Sequence, residues 1–400
     1  MIQQNNKKVN PVRNNTPSPL VQTKVRISNG VKVLLTGGGT GGSVSPLLAI
    51  AEELTSPPAP LLIRRGEKEE RYEFLWVGTK NGPEKEMVAK ASIRFKAIAS
   101  GKLRRYFSLK NFIDPIFILI GFVESLFIML SWRPDLVMTA GSFASVPVVW
   151  AAWILRVPIL VHQQDMRPGL ANKLMAPFAN VVTVTFEESL KNYGKKAVWT
   201  GNPVGFRMSD FGCRIDEFCK KYGLKKNLPI VLVVGGGTGA MEINKLVWES
   251  LDELTKICQI IHITGKGKIT NYKLQITNYK PFDFLEHEKV MEIMQAADLV
   301  VSRAGLGFLT EISYLGKPAI IIPIPDSHQE DNAQIFAKNE AAIVLDQKKL
   351  TPNDFTNKIK ELLKNEELRN KLRNNAAEVM KKGGSEAIVK IVEMMTQGSQ

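Results

Sequence analysis

Two runs of glycine stand where this chain could hold phosphate. Gly37, Gly39 and Gly42 follow the apolar run Val31–Leu35, and Gly235–Gly239 follow Ile230–Val234. Each run opens a stretch with the apolar spacing of a helix. Glycine lets backbone N–H groups come close to phosphate oxygens, and the amino end of a helix favours negative charge. The first run also fits the G-x-G-x-x-G dinucleotide fingerprint. That fingerprint needs an acid closing the next strand, about 20 residues on. Here the next strand closes Val77-Gly78-Thr79 with no acid, so no nicotinamide, and no other cofactor, is expected. Neither run carries a P-loop lysine, and the chain has no H-E-x-x-H or Asp-x-Asp, so no metal is expected either. Two such loops in one chain point to a cleft enzyme. One half would hold a nucleotide diphosphate and the other a second phosphorylated molecule.

The elements that must position these loops alternate strand and helix. Val31–Gly39, Tyr72–Gly78, Pro134–Gly141, Val157–Gln163 and Asn180–Phe186 read as strands, with helical spacing over Ser45–Leu54. Gly201–Gly205 reads as a hinge, after which the pattern restarts at Pro229–Ala240 and continues through QIIHITG, ADLVVSRAG and PAIIIPIP. Such alternation gives parallel sheets covered by helices. The fold class is therefore α/β, two doubly wound Rossmann-like halves facing a cleft, ending in helices from about Thr351. The pentapeptide ITNYK occurs at 269–273 and again at 276–280; it reads as a polar surface loop, as do residues 55–72.

Composition narrows the class. The chain has 400 residues, 44% of them hydrophobic, which excludes wholesale disorder and gives each half enough length for its own core. Cys213, Cys219 and Cys258 are an odd number without C-x-x-C spacing, which fits a reducing compartment rather than a disulfide scaffold. Residues 1–30 are rich in Asn, Gln, Pro and Ser and lack the apolar core of a signal peptide; they read as a disordered extension. The net charge is +14 and is unevenly placed: residues 1–200 carry 26 Lys and Arg against 14 Asp and Glu, so most of the excess lies in the first half. An acidic partner is expected there. The most apolar stretch, Phe112–Trp132, is interrupted by Asp114, Pro115 and Glu124 and flanked by Lys102, Arg104, Arg105 and Lys110. It reads as a buried or interfacial helix rather than a membrane span.

TGGGTGGSVSPLLAIAEEL resembles the opening of the MurG family. Residues 140–179, TGNPV at 200–204, VLVVGGGTGAMEIN at 231–244, residues 302–325 and SHQEDNAQ at 327–334 resemble further family segments in the same order. The resemblance spans roughly residues 31–395. It implies the two-domain GT-B fold and transfer of N-acetylglucosamine from UDP-N-acetylglucosamine to undecaprenyl-diphosphate-N-acetylmuramoyl-pentapeptide. It further implies residues 31–200 as the acceptor and membrane-facing domain, 201–370 as the UDP-sugar domain, and helices over 371–400 packing back toward the first. Thr40, Gly41 and Gly42 match the loop associated with the lipid diphosphate. Gly237, Thr238 and Gly239 match residues facing the donor diphosphate, and Leu285 the position whose backbone reads uracil. Leu306, Gly307, Phe308, Leu309, Thr310 and Glu311 match the donor loop and helix start, with Glu311 on the ribose hydroxyls. His328 and Gln329 match the sugar contacts, and Asn332 the residue bracing that turn. The basic first half would then face an anionic membrane through Lys102, Arg104, Arg105 and residues 112–130, at the cytoplasmic face, with no nucleic-acid partner.

The sequence departs from the family pattern in four places. Ser43 replaces a histidine that is a candidate base, and a serine hydroxyl cannot act as one unaided near neutral pH. H-E-Q-N reads His162-Gln163-Gln164-Asp165, Gly205 replaces an arginine with Arg207 two residues on, and Phe143 replaces a tyrosine. Asp165 is the replacement base suggested by these changes, and His162 the second candidate. The implied mechanism is direct, inverting displacement at the anomeric carbon without metal, with backbone N–H groups stabilising the departing diphosphate. Other readings compatible with the residues are another GT-B glycolipid transferase, a UDP-N-acetylglucosamine 2-epimerase, and a non-catalytic UDP-sugar-binding homologue.

Overall fold

The computed structural model describes residues 30–39, 41–55, 72–101, 110–205, 215–236, 240–269 and 276–397, with side chains from 116 onward in the third helix. Residues 1–29, Thr40, residues 56–71, Lys102, Arg104, Arg105, Arg207, Gly237, Thr238, Gly239 and most of the first ITNYK copy lie outside the described residues.

The first domain contains β1 (Val31–Thr36), α1 (Ser45–Thr55), β2 (Tyr72–Thr79), α2 (Glu84–Lys90), β3 (Arg94–Ile98), α3 (Lys110–Trp132), β4 (Leu136–Thr139), α4 (Ser145–Ile154), β5 (Ile159–Gln163), α5 (Leu170–Met175), β6 (Val181–Val184) and β7 (Ala197–Trp199). The second contains α6 (Ile215–Tyr222), β8 (Ile230–Val234), α7 (Met241–Leu254), β9 (Gln259–Ile263), β10 (Tyr279–Phe282), α8 (His287–Ala296), β11 (Leu299–Ser302), α9 (Leu306–Leu315), β12 (Ala319–Ile321), α10 (His328–Lys338), β13 (Ile343–Val344), α11 (Pro352–Lys364) and α12 (Glu366–Val379). The last helix is α13 (Gly384–Gln397).

Both sheets are parallel, in the orders β3-β2-β1-β4-β5-β6-β7 and β10-β9-β8-β11-β12-β13. Burial on both faces explains the unbroken apolar strands. In the first domain Leu34, Val137 and Val161 face α4, while Val33, Leu35, Met138 and Leu160 face α1. In the second, Val231, Val233 and Val301 pack on α7 and α11, while Leu232, Val300 and Ile321 pack on α8, α9 and α12. The chain's return to the first domain begins at Gly384, not at 371: Ala376 of α12 lies in the second core, whereas Ile388, Ile391 and Val392 of α13 join the first, against α1. The second ITNYK copy is not a plain loop. Tyr279 is 2% exposed and opens the edge strand β10.

Strand order reverses at β1 and at β8, and ligands of open α/β sheets bind outside such switch points. Both glycine runs emerge there. The second requires its glycines: Gly236 has φ +95°, and a Cβ on Gly235 would collide with the Ala240 backbone. The first is folded around an internal carboxylate. Glu84 is fully buried, and its oxygens accept hydrogen bonds from Gly39 N (3.1 Å), Thr79 N (2.8 Å) and the Thr79 hydroxyl. Gly38 has no room for a Cβ because the Glu84 carboxylate lies against it. Trp76 Nε1 donates to Gly37 O (3.2 Å) and Ser43 Oγ to Gly38 O (3.3 Å), closing the turn. The Gly39 amide is thus committed to Glu84 and is not a free phosphate donor. Replacing Glu84 by Ala strands buried donors, so an unfolding loss of about 2–4 kcal/mol is expected in urea titration, and a smaller loss for Glu84→Gln, which keeps one of the two acceptor oxygens.

Candidate active site

The site is built on α9, which starts just past the carboxyl end of β11. Gly305 is its N-cap and offers no side chain, so the first-turn amides of Leu306, Gly307 and Phe308 have no partner inside the helix. A Cβ placed on Gly305 or Gly307 would meet nothing within 4 Å. The turn that carries these amides is therefore open on its glycine side, and an uncapped helix start of this kind favours phosphate. The side chains go elsewhere. Leu306 and Leu309 are core residues, and Thr310 is fully buried. Of the six consecutive residues expected at the donor, Leu306, Phe308 and Leu309 pack in or against the second core and Thr310 is buried, which leaves the exposed Gly307 and the carboxyl of Glu311.

Glu311 lies one turn further along α9 and is 9% exposed. Its Oε2 is buried without a hydrogen-bond partner among the described residues. Burial pushes its carboxyl up to about 8, because desolvation penalises the charged form. His287, the first residue of α8, brings Nδ1 to 3.6 Å from Glu311 Oε1. Leu285, two residues earlier, is half-buried against the second core. Glu311 and His287 thus meet beside α9, with Leu285 two residues before His287.

Opposite them lies the start of α10. Ser327 caps it by accepting from Gln329 N, and Gln329 Oε1 accepts from Ile324 N (3.2 Å), which fixes that amide and leaves its NH2 group as the donor end. His328 is exposed. Asn332 is fully buried and ties the domains together. Its Oδ1 accepts from Met166 N (3.0 Å), and its Nδ2 donates to Asp165 Oδ1 (2.9 Å) and to Ala304 O (3.3 Å). Arg167 and Asp331 add a 2.9 Å ion pair across the same gap. Asp165 therefore sits at the cleft, but as half of an interdomain hydrogen bond.

His162 is not placed to act as a base. It is 0% exposed, with Nδ1 2.9 Å from Thr183 Oγ1 and Nε2 2.9 Å from Asn202 Oδ1. Asn202 Nδ2 donates to Thr310 Oγ1 (2.9 Å), which in turn donates to Leu306 O (2.8 Å). The Asn202 carbonyl fixes the proton on Nε2, so the ring is neutral and bonded at both nitrogens. Burial lowers its pKa to about 4. Ser43 is buried within the first turn and acts as a loop closure. Gln163 Oε1 accepts from Asn172 (2.6 Å) and Tyr193 (2.7 Å), so the amide that replaces the family's glutamate is embedded in a polar network. Gly41 and Gly42 lie in a single 3-10 turn just before α1, Gly42 exposed.

Several residues of the site were not singled out from sequence. Arg303 Nη1 donates to the carbonyls of Ile322 (2.9 Å) and Pro323 (3.2 Å), shaping the turn before α10. Asn202 lay inside a matched segment, and a buried amide between apolar strands was its only signal. His287 and Glu84 carried no local pattern.

Away from the cleft, α3 leaves Ile116, Leu119, Val123, Phe127 and Leu130 between 43% and 70% exposed. It is anchored by Glu124, which accepts from Ala99 N (2.6 Å), and by Gly121, which lies against Ala99 O. Among the described residues no helix is long and apolar enough to cross a membrane.

Residues 33–184 match the glycosyltransferase family 28 N-terminal domain and residues 230–389 its C-terminal domain. A UDP-N-acetylglucosamine–N-acetylmuramyl-(pentapeptide) pyrophosphoryl-undecaprenol N-acetylglucosamine transferase of Clostridium tetani is 38% identical over 367 residues, covering 90% of this chain and 97% of the relative. The enzyme of that name from Clostridium kluyveri is 39% identical over 338 residues, 83% of this chain and 91% of the relative. Among solved structures, MurG of Acinetobacter baumannii superposes with a TM-score of 0.69 at 23% identity, covering 91% and 99% of the two chains. A UDP-GlcNAc 2-epimerase of Neisseria meningitidis, bound to UDP-GlcNAc, gives 0.64 at 14% identity over 91% and 100%. These structural likenesses show the fold, which is GT-B. Fold and matched domains together define a family 28 glycosyltransferase. By its similarity to the clostridial transferases over nearly their whole length, the chain belongs to the MurG family.

His162 has a counterpart in the second sheet. His262 is fully buried between Tyr279 Oη and Asn244 Oδ1, both at 3.0 Å, and burial lowers it to about 3. Unfolding returns both rings to an ordinary value near 6.5. The unfolded chain therefore binds more protons below that value, and stability present above pH 6.5 is lost as pH falls toward 4. The urea midpoint should drop across this window: near pH 5 the two imidazoles take up about two protons on unfolding and the Glu311 carboxyl, raised to about 8 in the folded chain, gives up about one, a net uptake of about one. In NMR titration these two imidazoles should stay neutral down to pH 5.

Proposed function

We propose that this chain transfers N-acetylglucosamine from UDP-N-acetylglucosamine to the 4-hydroxyl of undecaprenyl-diphosphate-N-acetylmuramoyl-pentapeptide, converting lipid I to lipid II in peptidoglycan synthesis. The observation that carries this reading is the pairing on one helix of uncovered amides at Leu306–Phe308 with a buried carboxylate oxygen of Glu311. A nucleoside diphosphate supplies what each lacks: anionic oxygens for the amides and two ribose O–H donors for the carboxylate. The names of the clostridial relatives support the donor and the acceptor.

The reaction is a single inverting displacement that needs no metal. As the anomeric bond breaks, charge grows on the diphosphate and the α9 amides stabilise it, with Gly237, Thr238 and Gly239 assigned to its other side. The Leu285 backbone is assigned to uracil, and His328 with the Gln329 NH2 group to the sugar hydroxyls. Thr40, Gly41 and Gly42 are assigned to the lipid diphosphate. Asp165 is the base for the acceptor hydroxyl: Asn332 holds Oδ1 and orients the carboxylate, leaving Oδ2 as the proton acceptor. The apolar face of α3 seats in the cytoplasmic leaflet as a peripheral contact, helped by Lys102, Arg104 and Arg105 against anionic lipid.

Release of UDP should depend on the lipid acceptor and persist in excess chelator. Glu311→Ala should weaken UDP binding by roughly 10–100-fold in calorimetry. Asp165→Asn should cut kcat by about 10²–10⁴ with UDP affinity unchanged. Acceptor-independent turnover of the donor would favour epimerase chemistry instead. In vesicle sedimentation, binding should be tighter to anionic than to neutral vesicles and be lost in a Leu119→Glu, Phe127→Glu double variant. Equal binding to both vesicle types would remove the electrostatic part.

A further inference from the structure

We propose that His287 is a positioning residue for the nucleotide, acting as proton partner of Glu311. When the ribose diol docks, the Glu311 carboxyl proton passes to His287 Nδ1 instead of to solvent. This rests on the reading of Glu311 as the ribose acceptor. The geometry that points to it is the 3.6 Å approach of Nδ1 to Oε1 on one side of the carboxyl group, while the buried Oε2 has no donor among the described residues. The step is balanced within the site: the Glu311 O–H bond breaks, an Nδ1–H bond forms, and no proton is exchanged with water.

The surroundings suit such a transfer. Burial raises Glu311 and lowers His287, so in the empty site near neutral pH the pair is a carboxylic acid beside a neutral imidazole. His287 opens α8, where the helix dipole disfavours an imidazolium. Glu288 beside it acts in the opposite sense, raising His287. The remaining charged groups of this end of α8 are Glu286, paired with Lys90 of α2 at 3.4 Å, and Lys289; Glu292, further along, is paired with Lys221 at 2.6 Å. On α9 the only other titratable side chain is Tyr314, whose hydroxyl accepts from Gly383 N. Two hydroxyl donors reaching Glu311 favour its ionised form, and His287 is the nearest ionisable base for the displaced proton.

The test is calorimetry of UDP binding to the full chain at pH 7 in two buffers of different ionisation enthalpy, which counts protons released. Wild type should release close to none. His287→Asn should release about one more proton than wild type, because Glu311 must then ionise into buffer. Its affinity should be about tenfold weaker at pH 7 and recover toward pH 8, since each pH unit below the carboxyl's pKa costs a factor of ten. Glu311→Gln should show neither effect. Equal proton counts and equal affinities for wild type and His287→Asn would overturn the proposal. Should 2′-deoxy-UDP bind as tightly as UDP and Glu311→Gln leave affinity unchanged, the ribose reading itself falls, and the proton transfer with it.

Discussion

The first turn of α9 has to keep its amide hydrogens uncovered while the rest of the helix is packed on every side. The chain meets this constraint by separating backbone from side chain. Gly305 and Gly307 remove bulk above the turn, while Leu306, Leu309 and Ile312 drive the helix into the second core. An uncovered helix start in a packed interface is costly unless something external compensates it. The surrounding polar bonds serve to hold that start still. Ala304 O is held by Asn332, Leu306 O by Thr310, and Thr310 by Asn202. Two of these partners are bonded onward to the first domain, Asn332 to Asp165 and Met166 and Asn202 to His162, so the α9 turn is tied to both domains.

The polar residues at the interface can be sorted by what burial does to them. His162 is inside and neutral, with both nitrogens bonded, so burial makes it a strut. Glu84 is inside with three donors, so its loop is fixed around it. Glu311 is inside with one oxygen unmet, and that deficit makes it a binding group. The same physics, desolvation of a charged form, yields a structural residue or a functional one according to whether the protein supplies the partner.

Much of this was legible in the sequence. The central strands β1, β4, β5, β8 and β11 are continuous apolar runs, because both faces of a parallel sheet are buried, and the turns after β1 and β8 announce themselves by glycine. The edge strands were not legible. β3 (RFKAI), β7 (AVW), β10 (YKPF) and β13 (IV) are short or polar on account of their position, and β10 is concealed in a repeated polar pentapeptide. At the site, Glu311, Gln329 and Asn332 were singled out by resemblance. The resemblance could not assign the carboxylate of Asp165 to an interdomain bond, or His162 to the interior. Those depend on contacts between distant parts of the chain, Asp165 with Asn332 at 167 positions and His162 with Asn202 at 40, which no local pattern encodes.

The two passages of chain between the domains lie side by side. Gly201 presses on Lys381 O, Gly384 lies against Asn202 O, and Ser385 Oγ exchanges hydrogen bonds with both the N–H and the carbonyl of Val204. A single connecting strand would let one domain swivel about the bond axis as freely as it tilts. Two strands bonded to each other form a flat ribbon, which flexes across its width and resists torsion. Such a connection restricts relative motion chiefly to one bending mode. The α9 turn and the first glycine loop can then move apart and return in the same rotational register, so donor and acceptor faces meet in one orientation without having to search for it.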